Sequence, residues 1–227
     1  KGYTLALVAG LLTLTNFEVH RAGVNCRVDM LLTACMVGAL YLLYLGHEKR
    51  KTAYYLLALL CMSGAMLTKG PVGILLPCMV GFAYELCQKE RFARVLLRYI
   101  ALGLGALVIP MMWYVAAYQE GGQKFFDLVW EENVLRFTGK MSYGSHENPP
   151  IYNVMTILTG MLPYTLLVLI GLVSIHLRHA RNTLSKTWWK EQWHRLKAMD
   201  SLRLFTLLSF VIIFVFYCIP KSKRSVY

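Results

Sequence analysis

The sequence has 227 residues, 57% hydrophobic residues, only 16% charged residues and a formal net charge of +12. The length would suit one or two soluble domains, but apolar runs long enough to cross a hydrocarbon core of about 30 Å recur along it. A positive charge in so apolar a chain indicates basic residues that orient spans and touch anionic lipid headgroups. The composition therefore predicts a membrane protein and argues against a nucleic-acid-binding one.

Seven apolar runs are predicted as transmembrane helices, so the fold class is expected to be all-α and polytopic. Because the chain begins at Lys1 and stops within a basic cluster, we expect it to be a fragment whose N- and C-terminal parts are missing. The predicted spans are Thr4–Phe17, Met30–Gly46, Ala53–Thr68, Val72–Cys87, Ile100–Tyr118, Tyr152–Leu177 and Leu204–Pro220.

The connections between these spans alternate in charge. One set, 47–52, 88–99 and 178–203, carries fourteen Lys or Arg, whereas the other set carries nine Lys or Arg and seven acids. By the positive-inside rule the first set is cytoplasmic and the second is periplasmic. Aromatic residues at helical spacing predict membrane-surface helices in the cytoplasmic segment 178–203 and in the outer segment 119–150.

The first candidate site is the pair Arg27 and Asp29, at the outer end of the span that starts at residue 30. An ionised group at this depth is costly unless it is paired or hydrated. Two interpretations stay open. In one, the carboxylate of Asp29 interacts favourably with the helix dipole and Arg27 snorkels outward. In the other, both residues line a polar cavity.

The second candidate is Lys69-Gly70-Pro71, where a lysine ends one predicted span and Gly-Pro begins the next. This turn places an ammonium beside the unpaired amide groups of a new helix, an arrangement that binds phosphate. The same sequence is also compatible with a lysine in a tight turn that only extends its ammonium to the membrane surface.

The third candidate lies in the outer segment, where Glu132 and Arg136 are followed by His146. Glu132 and Arg136 are four residues apart, so a simple intrahelical ion pair is an alternative to a role at a site. His146 is a candidate ligand for a divalent metal ion, although a lone loop histidine is more often only solvated.

The fourth candidate is the C-terminal cluster that contains Lys223, Arg224 and Tyr227, at an outer end where the positive-inside rule disfavours cations. Such a cluster either clamps a phosphate headgroup or anchors the chain to the lipid surface. The predicted topology puts all four candidates on one face of the membrane, which favours a shared site.

Taken in order, these motifs resemble the aminoarabinose transferase and protein O-mannosyltransferase-like family of the GT-C superfamily. The resemblance runs from residue 26 to 227 and rests on these motifs: Arg27-x-Asp29-Met-Leu-Leu, Lys69-Gly70-Pro71, Glu132-Asn133-x-x-Arg136-Phe137, His146-x-x-Pro149 and Pro220-Lys221-x-Lys223-Arg224-x-x-Tyr227.

The resemblance implies a GT-C-type bundle in the bacterial inner membrane that transfers a sugar from an undecaprenyl-phosphate donor to a lipid A-like or other glycan acceptor on the periplasmic side. It implies a main catalytic base in an outer loop upstream of this chain. Within the chain, the carboxylates of Asp29 and Glu132 are themselves candidates for the proton acceptor. The expected donor-binding residues are Arg27, Lys69, Arg136, Lys223, Arg224 and Tyr227, and His146 is the expected metal-proximal residue.

Two other functions stay open. A lipid or saccharide transporter or flippase also places charges in cavities, but usually near the bilayer midplane. A scaffold or a ligase that joins lipid-linked carbohydrate has the same layout as a glycosyltransferase.

Overall fold

The computed structural model describes residues 2–25, 27–135, 149, 151–179 and 199–220. Over these residues the chain is helical and contains no β-strand. Four of the described helices are long and apolar enough to cross a membrane, or up to six if each of two bent pairs is one span; a further apolar helix has 16 residues. The predicted all-α, polytopic membrane fold is confirmed.

The helices follow one another through short connections in the first half of the chain. Their bounds are α1 Gly2–Leu14, α2 Phe17–Val24, α3 Val28–Lys49, α4 Thr52–Lys69, α5 Val72–Cys87, α6 Phe92–Trp130, α7 Ile151–Gly160, α8 Tyr164–His179 and α9 Ser201–Cys218, with a π-helical turn at Glu131–Leu135 after α6.

The chain divides into two compact units. The first comprises Lys1–Cys26 and Ile151–Ser201, and the second comprises Arg27–Pro150 and Leu202–Tyr227. The second unit contains α3 to α6 and nearly all of α9, and it holds the described residues of the candidate site.

In the first unit, the predicted span Thr4–Phe17 is interrupted by a helix cap. The side chain of Asn16 accepts hydrogen bonds from the amides of Glu18 and Val19, at 3.0 and 3.1 Å. This N-cap starts α2 as a separate helix, bent by 59° from α1. The sequence analysis did not identify this start signal.

The predicted span Tyr152–Leu177 also differs from the structure, because α7 and α8 meet at an angle of 108°. Pro163 lies between them and cannot donate the hydrogen bond that would continue α7. The pair is therefore either a broken span or a re-entrant segment rather than one straight helix.

The second unit is a bundle in which α3 to α6 alternate in direction through short connections. Its largest core cluster is formed by side chains of α3, α4, α5 and α6, among them Leu43, Met62 and Tyr99. Phe205 of α9 packs against Leu40 of α3 and Tyr84 of α5. Since sequential helices reverse direction, the start of α3, the end of α4 and the start of α5 share one end of the bundle.

Small residues let α4 and α5 approach closely. A Cβ added at Gly73 would lie 2.5 Å from the backbone carbon of Ala65, so only glycine fits there. On the other side of α4, the Ser63 hydroxyl donates a hydrogen bond of 2.8 Å to the Ala106 carbonyl of α6. Such contacts hold the bundle together where lipid supplies no hydrophobic driving force.

Helix α6 turns back on itself at Gly122, where the backbone is not helical (φ 56°, ψ −146°). Phe125 lies against Trp113, with ring centroids 6.0 Å apart. In a straight helix these residues would be separated by roughly 18 Å along the axis, so the chain after Gly122 must reverse. The bend directs the π-helical turn toward the end of the bundle that holds the α4–α5 connection.

Candidate functional site

The structure brings Asp29 and Lys69 into an ion pair between the first turn of α3 and the last turn of α4. The ammonium of Lys69 donates a hydrogen bond to Oδ1 of Asp29. Both side chains are about one quarter exposed, at 25% and 23%. The pair is therefore reachable by a polar ligand yet shielded enough for its charges to interact.

Gly70 follows Lys69 in a conformation that essentially only glycine adopts, with φ 82° and ψ −159°. A Cβ at Gly70 would collide with the side-chain oxygen of Asn133, which belongs to the π-helical turn. The Asn133 amide nitrogen donates a hydrogen bond of 2.9 Å to the Val129 carbonyl and is thereby oriented. The turn Lys69-Gly70-Pro71 and the motif around Asn133 are thus in contact.

Pro71 is the N-cap residue of α5, and no side chain caps this helix end. The helix has 16 residues, and the positive end of its dipole lies beside the Lys69 turn. Since proline has no N–H group, it suits this position and leaves the following amides at the helix start. The arrangement that the sequence predicted for this turn, a lysine next to a helix N-terminus, is present.

Arg27 and Glu132 are half-buried neighbours of these residues along the chain. Arg27 is the N-cap position of α3, two residues before Asp29, and its side chain does not cap the helix. Glu132 immediately precedes Asn133 in the π-helical turn. The roles of Arg27 and Glu132 at the site stay predictions.

Five of the predicted site residues lie outside the described residues: Arg136, His146, Lys223, Arg224 and Tyr227. Across 2–25, 27–135 and the later described segments, no group of three or more His, Cys, Asp or Glu side chains is arranged to hold a metal ion. The predicted metal-proximal role of His146 therefore stays a prediction.

At the opposite end of the bundle, the structure shows a polar cluster that the sequence analysis missed. Glu85 of α5 is fully buried and accepts hydrogen bonds from Tyr55 at 2.9 Å and Tyr99 at 3.1 Å. Arg98 of α6 donates to its other oxygen at 2.5 Å, and His47 lies 3.8 Å away. The only sequence signal was one acid within an apolar run, and its partners come from three other helices.

The two ends are well separated. Asp29 and His47 lie 18 residues apart on α3, or roughly 27 Å along the helix, which is close to the thickness of a hydrocarbon core. The bundle therefore presents a partly exposed ion pair at one end and a buried acid cluster near the other.

Comparisons with known proteins agree with the resemblance drawn from the motifs. Residues 2–114, about half of the chain, match the family described as dolichyl-phosphate-mannose-protein mannosyltransferase. This segment includes Asp29 and the Lys69 turn.

Curated relatives align along most of the chain. An undecaprenyl phosphate-α-4-amino-4-deoxy-L-arabinose arabinosyl transferase 2 of Proteus mirabilis is 28% identical over 98% of this chain and 37% of its own length. The corresponding transferase of an Enterobacter species is 25% identical over 99% of this chain and 37% of its own length. An uncharacterized protein of Aquifex aeolicus is 29% identical over 83% of this chain and 33% of its own length.

The chain thus spans about a third of the length of the curated relatives that it matches. No solved structure matches it significantly. The family match and the arabinosyl transferase relatives agree with the ordered motifs, and the chain belongs to the dolichyl-phosphate-mannose-protein mannosyltransferase family of glycosyltransferases.

Proposed function

We propose that the protein containing this chain transfers a sugar from a polyprenyl-phosphate donor to a lipid or glycan acceptor at the periplasmic face of the bacterial inner membrane. The observation that carries the proposal is the ion pair of Lys69 with Asp29 at the bundle end where Asn133 reaches Gly70. Motifs far apart in the sequence meet there. The donor class is supported by relatives whose names specify undecaprenyl phosphate-linked aminoarabinose.

The chemistry requires fixed positive charge beside the leaving group. Transfer breaks the bond between the anomeric carbon and a phosphate oxygen, and an acceptor oxygen forms the new bond to that carbon. The acceptor's proton passes to a carboxylate, and polyprenyl phosphate leaves with its negative charge increased. A preorganised ammonium such as that of Lys69 stabilises this developing charge.

Asp29 then acts as a positioning residue for Lys69. Its carboxylate pairs with the ammonium at the end of α4, and α5 starts three residues later at Val72. An approaching phosphate would share the ammonium with Asp29 and meet the positive end of the α5 dipole. The acceptor's proton goes to the base expected upstream of this chain, with Glu132 as the alternative inside it.

The charge distribution supports the periplasmic side. The opposite end of the bundle carries the short basic connections Lys49–Lys51 and Lys89–Arg94, which the positive-inside rule assigns to the cytoplasm. Asp29 and Lys69, at the other helix ends, then lie toward the periplasm. There the donor's prenyl tail can stay in lipid while its sugar phosphate reaches the polar end of the bundle.

The test replaces the proposed phosphate contacts in the full-length protein. Lys69→Ala and Arg136→Ala are each expected to slow sugar transfer about 30- to 1000-fold, because a lost charged contact in the transition state removes roughly 2–4 kcal/mol. The measurement is transfer from a radiolabelled polyprenyl-phosphate sugar by purified enzyme in detergent.

Lys124→Ala is the matched control, since Lys124 is an exposed lysine on the same outer segment. It should leave transfer nearly unchanged, and all three variants should insert and purify like the unmodified protein. If Lys69→Ala and Lys124→Ala behave alike, Lys69 only anchors the chain at the membrane surface and the phosphate-binding role is wrong.

The transporter alternative keeps one supporting observation, the two bent helix pairs of the first unit. Transporters often bind substrate at broken helices near the midplane. The buried Glu85 does not add to this argument, because it lies within one turn of the end of α5. Reconstituted protein that moves a lipid-linked sugar across a liposome membrane without transferring it would favour transport.

A further inference from the structure

The basic end of the bundle, opposite Asp29 and Lys69, contains a cavity of about 480 Å³. It lies between one face of α4 and one face of α6, next to the connection from α3 to α4. Residues at positions i, i+3, i+4, i+7 or i+8 of each helix line it, as expected for a groove along two helices. The lining includes Tyr55, Leu56, Leu59, Arg94, Arg98 and Leu102.

The mouth of this cavity carries positive charge that the described residues do not balance. Arg98 is paired with the buried Glu85, and Arg94 forms only a loose pair with Glu90, at 3.5 Å with 59% of its side chain exposed. Arg50 also lines the cavity, and among the residues that the structure describes it makes no ion pair. Glu90 also lines the cavity, so among the described lining residues three guanidinium groups share this one carboxylate, in addition to the buried Glu85 that pairs with Arg98.

The backbone at Arg50 is unusual. Arg50 ends α3 in the left-handed conformation, with φ 50° and ψ 38°, where glycine or asparagine is the common residue. The tight connection beside the cavity therefore carries a long basic side chain at a position where glycine is common. Helix α4 starts two residues later without a side-chain cap, so the positive end of its dipole also lies at the mouth.

Away from the mouth the cavity becomes apolar. Leu59 and Leu102 line it, and Leu56 is 58% exposed on the outer surface of α4. Since α4 and α6 are long and apolar enough to cross a membrane, we expect this side of the groove to face hydrocarbon. A soluble anion would leave this apolar part of the groove unfilled.

We propose that this cavity binds an anionic phospholipid of the leaflet at the basic end of the bundle. Its phosphodiester lies between Arg50 and Arg94, and one acyl chain lies along Leu56 and Leu59. Arginine binds phosphate oxygens through paired N–H donors, and basic pockets between helices are suited to anionic headgroups. The site is separate from the Lys69 end, so it does not depend on the proposed transfer reaction.

The test measures lipid binding to the full-length protein, purified in detergent, by native mass spectrometry with added phosphatidylglycerol. One tightly retained phosphatidylglycerol is expected, with phosphatidylcholine at least tenfold weaker. The Arg50→Gln/Arg94→Gln double variant should bind phosphatidylglycerol at least tenfold more weakly. Arg91→Gln is the matched control, because Arg91 lies at the same end without lining the cavity, and it should change affinity less than twofold.

A second variant tests the acyl-chain part. Leu59→Trp fills the groove without altering charge, so it should also weaken phosphatidylglycerol binding at least tenfold while the protein keeps its elution profile. Unchanged affinity in Leu59→Trp would overturn the proposed position of the acyl chain.

Two further results would overturn the assignment. Equal losses in the double variant and in Arg91→Gln would mean that general surface charge attracts the lipid. Displacement of phosphatidylglycerol by an equal concentration of glycerol 3-phosphate would identify a site for a soluble phosphate instead.

Discussion

The buried carboxylate of Glu85 is expected to be a main structural contact of the bundle, and Glu85→Gln tests this. The substitution keeps the shape of the side chain and an oxygen that accepts from Tyr55 or Tyr99. It replaces the oxygen that accepts from Arg98 with an amide nitrogen, which is a donor. The Arg98 guanidinium, whose side chain is 32% exposed, then faces a donor instead of a charge.

The magnitude follows from burial. Removing one partner of a buried ion pair costs about 3–5 kcal/mol, because the remaining charge is left without compensation. Glu85 is 0% exposed, but Arg98 is partly exposed and can recover some hydration, so we expect a loss near 3 kcal/mol. Combining Glu85→Gln with Arg98→Met should cost less than the sum of the two single changes, since they remove one shared contact.

The chain offers a matched control in Glu90 and Arg94, which form an i,i+4 pair on the surface of the same end. Such exposed pairs contribute about 0.3–0.5 kcal/mol, so Glu90→Gln should barely change stability. The measurement is the temperature at which half of the full-length protein remains monodisperse after heating in detergent. If Glu85→Gln and Glu90→Gln lower this temperature equally, the Glu85 cluster does not stabilise the bundle.

Two further predictions concern the candidate active end. Gly70→Ala should destabilise the protein by about 1–3 kcal/mol and reduce sugar transfer, because alanine is strained in the backbone conformation of Gly70 and its Cβ displaces Asn133. Gly23→Ala is the control, since a Cβ at Gly23 meets open space. Equal effects of the two substitutions on thermal stability would contradict the reasoning. Cysteines placed at positions 146 and 223 of a cysteine-free protein should react with an impermeant reagent in intact cells, whereas those at 47, 89 and 190 should not, and the reverse pattern would invert the proposed topology.

Much of the bundle could be predicted because apolar runs and their breaks determine where helices begin and end in a membrane. The predicted run 72–87 and helix α5 have the same bounds, since Pro71 and the polar residues after Cys87 mark both ends. Helix α4 likewise begins and ends one residue outside its predicted span. Hydropathy is calculated from the local sequence alone, so a single sequence is enough to place the ends of these helices.

The bends could not be predicted in the same way. The sequence analysis ended a span at Tyr118 and expected another helix after it, but it did not locate the turn at Gly122, because one glycine in a helix usually lowers its stability without ending it. The backbone angles of Gly122 and the packing of Phe125 on Trp113 show that the chain reverses there. Pro163 was visible in the sequence, but a proline in a transmembrane segment produces anything from a slight kink to a sharp break.

The candidate site was partly predictable for a related reason. Alternating spans place Asp29 and Lys69 at the same end of the bundle, so their shared face followed from topology. Their direct pairing, and the contact of Gly70 with Asn133, depend on how helices rotate and on the Gly122 bend. The Glu85 cluster is formed by side chains of four helices, so it depends on how these helices pack. No sequence motif indicates such a contact.

The difference in burial between the two polar ends suits two different tasks. At the basic end Glu85 is completely enclosed and hydrogen-bonded by three side chains, so its partners cannot be exchanged for a ligand without a large loss of stability. The Asp29–Lys69 pair is about one quarter exposed, and ion pairs that are open to water contribute little to folding. In the function proposed above, Lys69 would therefore shift part of its interaction from Asp29 to the donor phosphate at small cost, as a reusable binding site requires.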